Sequence, residues 1–174
     1  MPGDWIDIST PLRTGMRHWP GDPDVMVRQD LLSMHPHTGT HVDAPRHYIP
    51  EAKTIDGLPL AALIGKARVV DIAHLDENSV ARGERILLRG ATDDGISGAQ
   101  AEALAERAPC CLGIDSLSIG DEGVHRTVLG AGIWVIEGLD LANVEPGHWE
   151  LVCLPLRIEA GDGAPARAIV RRLD

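Results

Sequence analysis

His35-Pro36-His37-Thr38-Gly39-Thr40-His41-Val42-Asp43-Ala44-Pro45-Arg46-His47 gathers four of the chain's eight histidines into thirteen residues. His37, Gly39, His41, Asp43, Pro45 and His47 all occupy odd positions, so an extended backbone turns them toward one face. At about 3.3 Å of rise per residue, His41 and Asp43 lie about 6.6 Å apart and can share one ion. On a straight strand His37 would stand about 13 Å from His41, so a shared site requires a bend, and Gly39 permits one. Imidazole nitrogens with one carboxylate suit zinc, manganese or iron(II), and three protein ligands leave positions for water. Such an ion lowers the pKa of bound water to about 7, which supplies hydroxide at neutral pH. The competing reading is a solvated histidine-rich loop with no ligand role.

A second acidic position lies far along the chain. Glu137 closes the apolar run Ile133-Trp134-Val135-Ile136, and a carboxylate on a buried strand is costly unless paired or bound to a cation. His125, twelve residues earlier on an expected helix, can converge with it. Taken alone, each has a plain alternative: a surface helix histidine, and a strand-end glutamate facing solvent.

Around these points, short apolar runs separated by Gly, Pro and Asp predict strands near Trp5–Ile8, Val25–Leu32, Ala67–Asp71, Arg85–Arg89, Cys111–Ile114, Ile133–Glu137, Trp149–Pro155 and Arg167–Arg171. Helices are expected over Ser97–Arg107, where Ser97 caps the first turn and Pro109 follows the end, and over Leu60–Ile64 after Pro59. A third should run from about Asp121 to Leu129, stopped by Gly130 and Gly132. The expected class is α/β, strand-rich, as a single domain over residues 1–174. The segment from Thr10 to Asp24 is long for a loop, which marks it as a functional candidate.

Composition narrows the function. The chain has 174 residues, no Phe, four Trp and one Tyr, and a formal charge of −10. So few rings and so little surplus Lys and Arg exclude stacking-based or phosphate-based nucleic-acid binding. No apolar run approaches the roughly 20 residues that span a bilayer, and Met1-Pro2-Gly3-Asp4-Trp5 has neither part of a secretory leader. A cytoplasmic protein is expected, with no membrane partner. Cys110, Cys111 and Cys153 lie in apolar runs without C-x-x-C spacing and read as small core residues.

The segment from His37 to His47 matches the pattern H-x-G-T-H-x-D-A-P-x-H, and by it the chain resembles the cyclase-like metal-dependent hydrolases, which include bacterial kynurenine formamidases and isatin hydrolases. Trp5-Ile6-Asp7-Ile8-Ser9 is similar to the family's opening strand and Trp19-Pro20-Gly21-Asp22 to its substrate loop. Gly113-Ile114-Asp115-Ser116, His125 through Gly138, and Glu150 through Leu156 are similar to later strands. The resemblance implies a swivelling β/β/α fold, assembled as a homo-oligomer, dimer or tetramer. It implies that His37, His41 and Asp43 hold one divalent metal, zinc or manganese, with Asp43 bridging to a second completed by His125 and Glu137. His47 matches the general acid/base and Trp19 a substrate contact.

The activity implied is hydrolysis of a small-molecule amide, lactam or ester by metal-bound hydroxide. Metal-dependent ring closure or water elimination, and a non-catalytic metal-binding role, are the alternatives. Arg46, Arg13 and Arg17 are candidates for binding a substrate carboxylate, and His35 and His18 for supporting the pocket. Only seventeen residues separate Trp19 from His37. That interval is short for a kynurenine formamidase, as is the loop around Asp76–Arg82, which predicts an altered wall where an aryl group would sit.

Overall fold

The chain is described from residue 3 to residue 173 by a computed structural model, so Met1 and Pro2, part of the leader reading, lie outside the described residues. Ten strands and two α-helices follow in order. They are β1 (Ile6–Asp7), β2 (Met26–Val27), β3 (Leu32–Ser33), β4 (His41–Asp43), β5 (Ile64–Asp71), β6 (Arg85–Arg89), α1 (Gly98–Arg107), β7 (Cys111–Ile114), α2 (Glu122–Gly130), β8 (Trp134–Glu137), β9 (Gly147–Pro155) and β10 (Gly163–Arg172). Seven strands close a mixed barrel in the order β10-β4-β8-β7-β6-β5-β9 and back to β10, with β1 added along β10. The run β5-β6-β7-β8 is parallel and every other pairing is antiparallel. Parallel neighbours need crossovers, and α1 and α2 are two of them.

Alternation along the strands sorts the side chains into two cores. Leu87, Cys111, Trp134 and Ile136 join Val42, Ala67, Val69, Leu151, Cys153, Ala168 and Val170 within the barrel. Ile86, Leu88, Leu112, Ile114 and Val135 face outward onto Ala101 and Leu104 of α1 and Val124, Val128 and Leu129 of α2. Without phenylalanine, the barrel is filled by aliphatic side chains and two indoles, Trp134 and Trp149; the second satisfies its ring N–H by donating to the Glu145 carbonyl at 2.9 Å.

Several local expectations change in the tertiary setting. The strand expected over Val25–Leu32 is a small hairpin, because polar Arg28, Gln29 and Asp30 turn the chain and split it into β2 and β3. The helix expected over Leu60–Ile64 is one 3-10 turn at Leu60–Ala62, since Ile64 already pairs with Val152 and begins β5. Ser97–Arg107 and Asp121–Leu129 are helical nearly as expected: Ser97 forms a capping box with Gln100, and Asp121 caps α2. Cys111 and Cys153 are buried, whereas Cys110 is half-exposed rather than a full core residue.

Candidate metal centre and active site

The register between β4 and β8 builds the centre. His41 stands opposite Glu137, and Asp43 opposite Val135, so His41, Asp43 and Glu137 share the outer face while Val42 and Ile136 point into the barrel. That face lies beneath α2, which contributes His125 one turn from its N-terminus. His41, Asp43, His125 and Glu137 are all at least 95% buried. His41 Nε2 is 3.2 Å from a Glu137 oxygen and 3.4 Å from Asp43, and His125 Nε2 is 3.1 Å from Glu137 and 3.6 Å from Asp43.

Gly39 supplies the expected bend, with φ +69°. It returns His37 to the cluster, where Nδ1 lies 2.7 Å from Asp43. Two further glycines make room. A Cβ on Gly138 would sit 2.4 Å from the Gly39 carbonyl oxygen, and one on Gly163 would meet the His37 ring at 2.3 Å. Thr40 fastens the crossing by donating to the Gly138 carbonyl at 2.6 Å and accepting the Thr10 amide at 2.8 Å.

Backbone carbonyls orient the histidines. The Gly39 carbonyl engages His41 Nδ1 and the Asp121 carbonyl engages His125 Nδ1, each at 2.9 Å. Each Nδ1–H is the donor there, which leaves both Nε2 atoms facing the carboxylates, where a divalent cation can take the place of the proton. His41 Nε2, His37 Nε2 and Asp43 Oδ2 are buried without a hydrogen-bond partner. Buried acceptors left in this state are costly unless something electropositive lies between them. Among the described residues the atoms form three groups, His37–His41–Asp43 and Asp43–His125–Glu137, which share Asp43, and the less buried His37–His47–Asp162, with all ligand atoms of each group within 4.8 Å of one another. The residues therefore fit divalent cations.

Charge favours the same conclusion. Burial alone would keep the His41 and His125 rings neutral, but Asp43 and Glu137 raise each imidazole to about 10. Burial pushes the two carboxyls up, and the surrounding histidines more than reverse this, holding both below the ordinary range. The metal-free protein should then be most stable between the ordinary pKa of a glutamate, about 4.5, and that of a histidine, about 6.5. As pH rises above 6.5 the unfolded chain releases histidine protons that the folded chain retains to about 10, so stability falls; below 4.5 the unfolded carboxylates take up protons first, and it falls again. Thermal denaturation of the metal-free protein from pH 4 to 10 checks this: a plateau extending to pH 9 would contradict it.

His47 is not on the strand. It ends a 3-10 turn at Pro45–His47, so the shared parity of positions does not set its direction. Its ring stacks on His37 with centroids 3.9 Å apart, and its Nδ1 lies 3.1 Å from Asp162. Asp162 also reaches His37 Nε2 at 3.3 Å. Nothing periodic in Ala160-Gly161-Asp162-Gly163 singled out this aspartate; only the neighbouring glycines hinted at a tight turn before β10. Also not read from the sequence is the Ile119 amide, which donates to Glu137 at 2.6 Å.

A cleft of about 760 Å³ opens above the centre, lined by Trp19, Tyr48, His35, His37, His47, His125 and Glu137 among others. Trp19, 52% exposed, stands in its wall. Arg46 pairs with Glu51 at 3.3 Å and Arg17 with Asp93 at 2.8 Å, and none of Arg13, Arg17 and Arg46 is among the residues lining the cleft. His35 lines the cleft, whereas His18 turns to the Met16 carbonyl.

The family model "Putative cyclase" matches residues 6–88, from β1 through β6. The kynurenine formamidase of Salinibacter ruber is 34% identical over 95% of this chain and 96% of its own length. The chain belongs to the cyclase family. A Bacillus cereus kynurenine formamidase in this family is 32% identical over 97% of both chains. A solved cyclase-family structure, described as a potential metal-dependent hydrolase with cyclase activity, superposes with a TM-score of 0.85 at 27% identity, covering 98% of both chains. Isatin hydrolase A from Labrenzia aggregata shares the cyclase-family fold at TM-score 0.81 and 20% identity, over 98% of this chain and 94% of its own. The strand-rich α/β expectation holds, and the protein is a metal-dependent hydrolase of the cyclase family.

Proposed function

We propose that the protein hydrolyses the C–N bond of a small formamide or cyclic amide at this centre. The observation that carries the reading is the set of buried, unpartnered His41 Nε2 and Asp43 Oδ2 atoms, between the barrel and α2, beneath an open cleft. His37, His41 and Asp43 would hold one divalent cation, and His125 and Glu137, with Asp43 shared, a second; this donor set accepts zinc and manganese alike. A cation held there, when bound, polarises the substrate carbonyl and acidifies water.

The chain's own groups perform the proton transfers. Burial and the neighbouring His37 hold His47 below its ordinary pKa, against the opposing pull of Asp43 and Asp162, so it is neutral at pH 7 and can act as a base. Asp162 accepts from Nδ1 and leaves Nε2 to work. His47 takes a proton from the attacking water as oxygen bonds to the carbonyl carbon, then gives it to nitrogen as the C–N bond breaks. Trp19 and Tyr48 offer faces to the body of the substrate. The 34%-identical formamidase supports the choice of an amide.

In the same reading, residues 1–174 act as one domain, assembled as a homo-oligomer in the cytoplasm. Exposed Val27, Leu31 and Leu32 on the β2–β3 hairpin supply apolar surface for subunit contact, and three free cysteines suit a reducing compartment.

Formanilide offered to the zinc- or manganese-loaded protein in ¹⁸O-water should give formate carrying one solvent oxygen, and a chelator should stop the reaction. Conversion without solvent oxygen in any product would reject hydrolysis in favour of ring closure or elimination.

A further inference from the structure

We propose that His37, His47 and Asp162 form an additional divalent-cation site, overlapping the centre at His37, through which excess zinc inhibits the protein; the binding follows from geometry and the inhibition rests on the hydrolytic reading. His37 Nε2 lies 3.3 Å from Asp162 Oδ1, and His47 Nδ1 lies 3.1 Å from Asp162 Oδ2. One donor atom from each of the three residues falls within 4.8 Å of the others. Zinc with bonds of about 2.0–2.1 Å spaces tetrahedral ligands about 3.3 Å apart, so these separations need little adjustment to receive it. A separate observation points the same way. The His37 side chain is 9% exposed, and its Nε2 is buried with no hydrogen-bond partner among the described residues. His37 Nδ1 meets Asp43 at 2.7 Å. With the proton on Nδ1, as in His41 and His125, the Nε2 lone pair faces a carboxylate oxygen, and a cation between the two removes that cost.

The backbone holds Asp162 in place for this. Its carbonyl accepts the Ala44 amide at 2.9 Å, and Gly163 pairs with Asp43 where β10 meets β4. A Cβ on Gly163 would overlap the His37 ring, so the glycine lets the neighbouring carboxylate come this close. His37 and His47 both line the cleft, which gives an ion access from solvent. The group has one carboxylate and is less buried, whereas the centre has two carboxylates, so it binds more weakly and fills only when free zinc is in excess. Inhibition then follows from the protons. A neutral imidazole has one N–H and one lone pair. To ligate through Nδ1, His47 must carry its proton on Nε2, the nitrogen assigned above to accept a proton from the attacking water. His37 in turn spends its one lone pair at Nε2 and withdraws from the ion it shares with His41 and Asp43.

The test raises free zinc stepwise in equilibrium dialysis of the zinc-loaded full chain and counts bound zinc by elemental analysis. The protein should take up one ion more than it retains after dialysis. Asp162→Asn, which keeps the size of the group but not its charge, and His47→Ala should each lose that extra ion. ¹⁵N shifts of His47 should show its proton moving from Nδ1 to Nε2 as the ion enters. Over the same range formanilide turnover should fall by at least about 10²-fold, the usual worth of a positioned base, and the residual rate of Asp162→Asn should not respond to zinc. No extra ion at free zinc up to about 1 mM, or an extra ion that both variants keep, overturns the site. Uptake of the ion with undiminished turnover overturns the inhibition and leaves hydrolysis intact. Uptake with the proton shift, in a protein that turns over no formanilide at any zinc level, supports the site and overturns the amide-hydrolase reading instead.

Discussion

Asp43→Ala is expected to abolish retention of a divalent cation and to lower kcat/KM by at least about 10³-fold, with the barrel still folded. Asp43 is common to the two more deeply buried of the three potential ligand groups, so its loss breaks both at once. Carbonyl polarisation by a bound metal is worth several kcal/mol, and about 4 kcal/mol corresponds to about 10³-fold in rate. The same truncation removes the carboxylate nearest His37, leaving His41 and His125 to share Glu137. Breaking a buried charge cluster from one side costs about 3–5 kcal/mol where the remaining groups stay charged. Asp43→Asn, which preserves volume, separates this packing effect from loss of the ligand. Bound metal measured after dialysis, together with kcat/KM and the melting temperature, decides the matter. An Asp43→Asn protein with wild-type metal content and rate would remove Asp43 from the ligand set.

His47→Ala should lower kcat by about 10²- to 10⁴-fold, the usual worth of a positioned acid/base, while leaving metal content unchanged. His47 lies outside the two groups that share Asp43, although it forms a third, more exposed one with His37 and Asp162; with its Nδ1 engaged by Asp162, its removal should take away proton transfer more than ligation at Asp43. Asp162→Asn should cost less, about 10- to 100-fold, the range for a group that orients a working side chain. Because an amide can present either its oxygen or its nitrogen to the ring, the variant loosens control of the His47 tautomer without changing the size of the site. The loss should appear in kcat, with KM little altered. ¹⁵N chemical shifts of His47 provide a readout independent of turnover: a wild-type tautomer ratio in Asp162→Asn would show that the aspartate does not orient the ring. If His47→Ala kept full kcat, the proton-transfer role assigned to it would fall.

How much of this was legible in the sequence depended on the range of the interaction. β4 lies within a local alternation, so the shared face of His41 and Asp43 followed from backbone geometry alone, and the bend at Gly39 followed from the spacing of His37. The capped helices Gly98–Arg107 and Glu122–Gly130 were legible for the same reason: Ser97 and Asp121 act on amides only three residues away. Elsewhere tertiary pairing outweighed local preference. Ile64 leaves a helix-like segment because Val152 pairs with it, and the apolar pattern around Val25–Leu32 folds back on itself. His47 departs from its parity because the strand ends at Asp43 and Pro45 begins a tight turn.

The sequence by itself determined that one short segment carries a bent histidine–aspartate face whose donors suit a divalent cation, and that an acidic, ring-poor composition disfavours nucleic-acid binding. Only the tertiary structure decided what completes and surrounds that face. The β4–β8 register placed Glu137 opposite His41, α2 lowered His125 onto both, and the turn before β10 carried Asp162 to His47 across 115 residues. The same closure paired Arg17 with Asp93 and Arg46 with Glu51. Local chemistry is written in adjacent residues because backbone periodicity acts over a few bonds. Which distant side chains meet, and which charges go unpaired, is set by strand order and barrel closure, which no short stretch of sequence contains.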